Sequence, residues 1–251
     1  MRYFIELSYH GANYHGWQIQ PQAITVQETL EKALSLLLKK PVQVVGCGRT
    51  DAGVHASQFF LHFDIDERID KSSLKYRLNS FLPADIAIFR IYDMKHDAHA
   101  RFDAICRKYN YIIDTQKNPF NQGLSMTVTG KLDIHAMNAA AERLLNYEDF
   151  KCFSRSKTDV KNYLCDVSEA FWKEGERQLI FEIKANRFLR NMVRAVVGTL
   201  LEVGRGKMNV DEFERVIQSR DRTKAGASAK AEGLYLSEII YPEAIFLETY
   251  E

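Results

Sequence analysis

The sequence predicts an α+β protein of two ferredoxin-like halves, residues 1–104 and 105–251, with sheets side by side and a central cleft between them. Three observations carry this reading. Several short runs alternate apolar with polar residues, the mark of half-buried strands. Other stretches repeat apolar residues at helical spacing. The order strand, helix, strand, strand, helix, strand occurs clearly in the first half and less cleanly in the second, and that order is the ferredoxin-like one.

Tyr3, Ile5, Leu7 and Tyr9 mark the first strand, which ends in the turn-rich stretch from Gly11 to Gly16. Thr25-Val26-Gln27-Glu28 reads as a capping box. Val26, Leu30, Ala33, Leu34 and Leu37 then share one helical face before Pro41 closes the segment. A short apolar strand follows at 42–45, and Phe59, Leu61, Phe63 and Ile65 alternate in another. A helix over 72–81 and a strand over 86–92 complete the first half. The second half predicts a strand at 108–113, a helix at 134–145, a strand through Tyr163, Cys165 and Val167, and a turn at Glu174-Gly175. Another strand runs through Leu179, Phe181 and Ile183. Helices over 188–203 and 210–219 precede a last strand at 234–240. On the first of these helices Arg187, Arg190 and Arg194 fall at helical spacing and predict a cationic stripe opposite the apolar face.

A chain of 251 residues with 46% hydrophobic content can bury its own core. Its four cysteines lie far apart, with no metal-ligand spacing, so reduced thiols and a cytoplasmic location are expected. Glu6 follows only a few apolar residues at the start, and no run of about eighteen apolar residues occurs, which argues against a signal peptide and a membrane helix. The net charge is +1, so composition points to no polyanionic partner. Basic residues do crowd between Arg187 and Lys230, a pattern that by itself reads as a solvated face.

The chemistry concentrates in Gly46-Cys47-Gly48-Arg49-Thr50-Asp51-Ala52-Gly53-Val54-His55. A dinucleotide fingerprint fails here, because Asp51 stands where the third glycine belongs. A phosphate-cradling loop fails too, since no Gly-Lys-Ser or Gly-Lys-Thr follows. What remains is a tight glycine-rich turn with Arg49 and Asp51 two residues apart. Local sequence allows two readings: Asp51 caps the turn, or the turn presents its carboxylate at the floor of a cleft.

The string Gly-Arg-Thr-Asp-Ala-Gly-Val-His resembles the catalytic motif of the tRNA pseudouridine synthase A family, and the resemblance makes Asp51 the catalytic residue. It continues along nearly the whole chain, in Tyr14-His15-Gly16-Trp17-Gln18, Asn79 through Ile86, His99-Ala100-Arg101-Phe102, Arg107 through Tyr111, Phe188 through Gly198, and Lys230 through Leu236. His10 departs from it where aspartate is common, and Lys161-Asn162 where arginine is. The resemblance implies the pseudouridine synthase fold and conversion of uridine to pseudouridine at positions 38, 39 and 40 of the tRNA anticodon stem-loop. It implies a homodimer and no cofactor or metal. Tyr109 would stack on the target base, Arg194 would pair with the aspartate, Leu234 would line the uracil pocket and Arg49 would hold RNA. Two other classes stay open on the residues alone. A non-catalytic RNA-binding module would not need Asp51, and a small-molecule hydrolase or lyase would use Asp51 with His55 and act without RNA.

Overall fold

The computed structural model describes residues 1–155 and 161–247. Its elements run β1 (Arg2–Tyr9), α1 (Val26–Leu38), β2 (Val45–Gly46), β3 (His55–Asp64), α2 (Lys71–Phe81), β4 (Ile86–Met94) and β5 (Cys106–Asp114). They continue with β6 (Met126–Thr127), α3 (Ile134–Glu142), β7 (Val167–Glu174), β8 (Gln178–Ala185), α4 (Met192–Gly204), α5 (Val210–Ser219) and β9 (Leu234–Ile240). The chain is α+β and forms two compact units, Met1–Ile105 together with the segment from Tyr235 onward, and Cys106–Leu234. No helix among the described residues is long and apolar enough to cross a membrane.

In the first unit β4, β1 and β3 lie side by side and antiparallel. The outer edge of β3 is shared, with β2 opposite Leu61 and His62 and β9 running parallel at His55 and Ala56. Alternation sorts the side chains onto two faces. Tyr3, Ile5, Leu7, Phe59, Leu61 and Phe63 are buried on one face. On the other, Phe4 and Phe60 meet Tyr241 edge-on, and Phe246 closes on Phe4 and Tyr92. Between the pairs Leu7–Phe59 and Tyr9–Ala56, two residues of β1 advance against three of β3. This bulge reverses the alternation, so His55 emerges on the face that carries Phe60 and His62.

The apolar run at 42–45 pairs as a strand only from Val45. The reason lies in α1, whose side chains take over the backbone donors that a ladder would use. Ser35 Oγ accepts from Val42 N at 2.9 Å and Glu31 Oε1 from Val44 N at 2.9 Å. Half of the expected capping box is present: Thr25 Oγ1 accepts from Glu28 N at 3.3 Å, while the Glu28 carboxylate pairs with Lys32. A complete box caps α5 instead, built by Asn209 and Glu212.

His62 is 4% exposed, and its Nδ1 accepts the Ala100 N–H at 3.1 Å. Burial, with Arg2 and His99 adding repulsion against the weaker pull of Asp64 and Asp103, lowers its pKa to about 4. The folded state therefore keeps His62 neutral where the unfolded chain binds a proton, and stability falls as pH drops from the ordinary 6.5 toward 4. Urea denaturation should find the protein up to about 2 kcal/mol less stable at pH 5 than at pH 7 through this group. His62→Asn, whose Oδ1 can still accept from Ala100, should lose most of that pH dependence.

In the second unit β8 lies between β5 and β7, antiparallel to both, and β6 adds two residues parallel to β5. Asp114 at the end of β5 is buried and accepts from Ser125, Asn121 and Gln178, which pins the loop that brings β6 back. The predicted strand through Tyr163 and Cys165 begins at Val167. Before that, Tyr163 O and Cys165 N bond to Phe150 N and Glu148 O. The expected arginine stripe is also corrected. Asn191 adopts φ +65°, so α4 starts at Met192 and carries only Arg194, while Arg187 and Arg190 precede it. Along the rest of the basic run, Arg205 and Lys207 face Glu202, Arg215 faces Glu212, Arg220 faces Asp149 and Lys230 faces Glu232. That stretch is a mixed-charge surface.

Candidate active site

Asp51 sits half-buried in the link from β2 to β3, between exposed Arg49 and exposed Ala52. The loop is held mainly through its backbone. Thr50 O accepts from Trp17 N at 3.3 Å, Asp51 O from Val54 N at 3.1 Å, and Tyr14 O from Gly53 N at 3.2 Å. Thr50 is buried and its hydroxyl bonds to that of Tyr9 at 2.8 Å. Trp17 stacks on Phe59 with ring centroids 4.1 Å apart, which seats the neighbouring stretch against β3. Gly16 has φ +87°, and a Cβ there would come within 2.4 Å of Thr50 O. Only glycine lets the two loops approach this closely. The backbone contact of Trp17 with the Asp51 loop needs the tertiary fold to be seen.

A second tether comes from Asp85. Its carboxylate accepts from Tyr14 Oη at 2.6 Å and Asn13 Nδ2 at 3.0 Å, and its carbonyl accepts from His10 N at 2.8 Å. Asn79, in the same motif, bonds through its amide to both N and O of Ile88. His10, the departure from the family pattern, packs its ring 4.5 Å from that of His55. His55 begins β3, is buried, and accepts from Gly11 N through Nδ1 at 3.0 Å. Its opposite neighbour is Tyr235, stacked at 4.6 Å. A histidine so committed to local packing fits a structural role better than acid–base work.

The remaining expected site residues lie in the second unit, in three separate elements. Tyr109 stands on β5 opposite Ile183, half-buried, with Phe188 edge-on at 5.0 Å. Arg194 lies in the first turn of α4. Its Nε donates to Ala229 O at 2.7 Å, and its own carbonyl accepts from Ala229 N at 2.9 Å. The first bond fixes the plane of the guanidinium fork. The 225–229 segment that provides it is itself fastened: Asn191 Nδ2 donates to Ser228 Oγ at 2.7 Å, and Arg222 reaches Ala225 O, Gly226 O and Ser228 Oγ. Leu234 is buried, and the preceding Lys230 carbonyl accepts from Tyr111 Oη at 2.8 Å. Sequence reasoning missed Ala229, Ser228 and Asn191, which position Arg194. Their small or neutral side chains gave no chemical signal.

A family profile described as tRNA pseudouridine synthase matches residues 7–103 and 140–242. A tRNA pseudouridine synthase A from Bacteroides thetaiotaomicron is 53% identical over 250 residues, covering 98% of this chain and 93% of the relative. One from Porphyromonas gingivalis is 50% identical over 250 residues, covering 98% and 99%. The more distant Exiguobacterium sibiricum protein of the same name is 37% identical over 243 residues, covering 97% and 98%. The chain belongs to the tRNA pseudouridine synthases, isomerases that turn uridine into pseudouridine.

Proposed function

We propose that this chain acts in the cytoplasm as a homodimer on the anticodon stem-loop of tRNA, at positions 38, 39 and 40, with Asp51 as its catalytic carboxylate. The carrying observation is the Asp51 loop itself: its neighbours are fixed by Trp17, Tyr14 and Tyr9, so the acid is presented on an ordered turn. In the reaction the N1–C1′ bond breaks, the uracil turns, and a C5–C1′ bond forms. The C5 proton leaves to solvent and N1 takes one up. Asp51 starts the process either by attacking carbon or by removing a ribose proton, and both need the ionised form.

A target uridine in a stem must first be flipped out, at a cost of a few kcal/mol. Tyr109 stacks on the flipped base, which returns roughly 1–3 kcal/mol. Leu234 lines the uracil site, Arg49 holds RNA from its exposed position beside Asp51, and Arg194 supplies positive charge to the anionic states of the reaction. Release of tritium from tRNA labelled at uracil C5 tests the whole reading. No release by the folded protein removes it. Arg194→Ala should lower the rate at saturating tRNA by roughly 10²-fold or more while changing tRNA affinity less. An unchanged saturating rate would take Arg194 out of the mechanism.

A further inference from the structure

One motif remains outside the function described so far, the turn His99-Ala100-Arg101-Phe102. Phe102 is 74% exposed, yet its turn is firmly built. Three successive backbone N–H groups are spent on two imidazoles: Ala100 N donates to His62 Nδ1 at 3.1 Å, and Arg101 N and Phe102 N donate to His99 Nδ1 at 3.0 and 3.3 Å. The Asp103 carboxylate accepts from His99 N at 2.7 Å, and Tyr241 Oη donates to Ala100 O. The His99 ring leans against Phe102 at 4.3 Å on one side and against His62 at 4.7 Å on the other. The Arg101 guanidinium lies over the Phe102 ring, 5.6 Å from its centre. An aromatic ring is thus held out to solvent beside an exposed arginine, on a turn whose backbone N–H groups are bonded.

The turn also has a defined address relative to Asp51, entirely within the first unit. It is fastened to His62 and Tyr241, on the face of β3 to which the bulge returns His55. From His55, four residues after Asp51, to His62 is seven strand residues, or roughly 20 Å along the sheet. We propose that Arg101 and Phe102 form a second tRNA contact, in which Phe102 stacks on an unpaired base and Arg101 binds the adjoining phosphate. A flat ring and a guanidinium side by side match the two chemically distinct parts of a single-stranded nucleotide. This inference rests on tRNA being the substrate and adds a contact site to it, away from the reacting uridine. A preformed turn holds the contact at little ordering cost.

The test uses the full chain and full-length tRNA. Phe102→Ala should weaken tRNA binding roughly tenfold and raise KM more than it lowers kcat. Arg101→Ala should weaken it severalfold and reduce the slope of log K against log salt by about one. In Phe102→Trp the new indole is exposed while Trp17 and Trp172 are buried, so tRNA should quench its fluorescence. Unchanged affinity and KM in both alanine variants, or an indole indifferent to tRNA, would overturn the proposal. So would a loss of dimer mass in sedimentation with RNA affinity intact, which would assign the turn to a second copy of this chain. Absence of tritium release by the unaltered protein would strike the catalytic reading instead, because the binding and fluorescence measurements do not depend on turnover.

Discussion

Asp51→Asn should abolish tritium release, lowering the rate by at least roughly 10³-fold, while tRNA affinity stays within a few fold. The substitution keeps size and shape and removes the charge, so the side chain can neither attack carbon nor take a proton. The loop should survive it. Thr50 O is held by Trp17, the Thr50 hydroxyl by Tyr9, Gly53 N by Tyr14, and the Asp51 carbonyl, which the change does not touch, by Val54. An unaltered melting curve beside a lost rate is the expected pair of results. Substantial activity in Asp51→Asn would move the chemistry to another group.

Gly198→Ala should cost the protein about 3 kcal/mol or more, read as a lower urea midpoint. On a bare helix the change would be favourable by roughly 1 kcal/mol, since alanine is the better helix former. Here a Cβ would stand 1.8 Å from Ala227 O and 3.2 Å from Ala229 N, both backbone atoms with little room to give. The 225–229 segment must move off α4, breaking the two bonds that join Arg194 to Ala229. The rate at saturating tRNA should then fall along with stability, because the guanidinium loses its seat. A variant as stable as the parent would show that the approach of this segment to α4 is not tight in solution.

Much of the fold was legible because most elements follow one local rule each. The alternation in β1, the helical spacing in α1 and the strand runs of β4 and β8 survive into the structure almost residue for residue. The misreadings fall where a tertiary partner overrules local pattern. Val42 and Val44 look like strand and are buried like strand, but α1 satisfies their backbone. Phe188 through Asn191 look helical until Asn191 turns left-handed and delays α4, which removes Arg187 and Arg190 from the helix face. β6 is two residues long and leaves no periodic trace. At the site, resemblance names candidates for the chemistry but not the contacts that hold them in place. Asp51, Tyr109 and Arg194 announce themselves by type and motif, whereas Gly16, Asp85 and Ala229 act through close approach or a single carbonyl that no spacing reveals.

The return of β9 to the first unit has a consequence in time. The second unit is one uninterrupted stretch, Cys106–Leu234, but the first is split around it. Tyr235 and Leu236 complete the edge of β3, Tyr241 and Phe246 cover Phe4, and Ile245 O and Leu247 N bond back to Lys95 and Asp93. During synthesis from the N-terminus, the unit bearing Asp51 is made first and finished last. Until residues 235–247 leave the ribosome, the aromatic face beneath His55 and His62 has no cover, and the loop bearing Asp51 waits on a strand that is translated after the entire second unit.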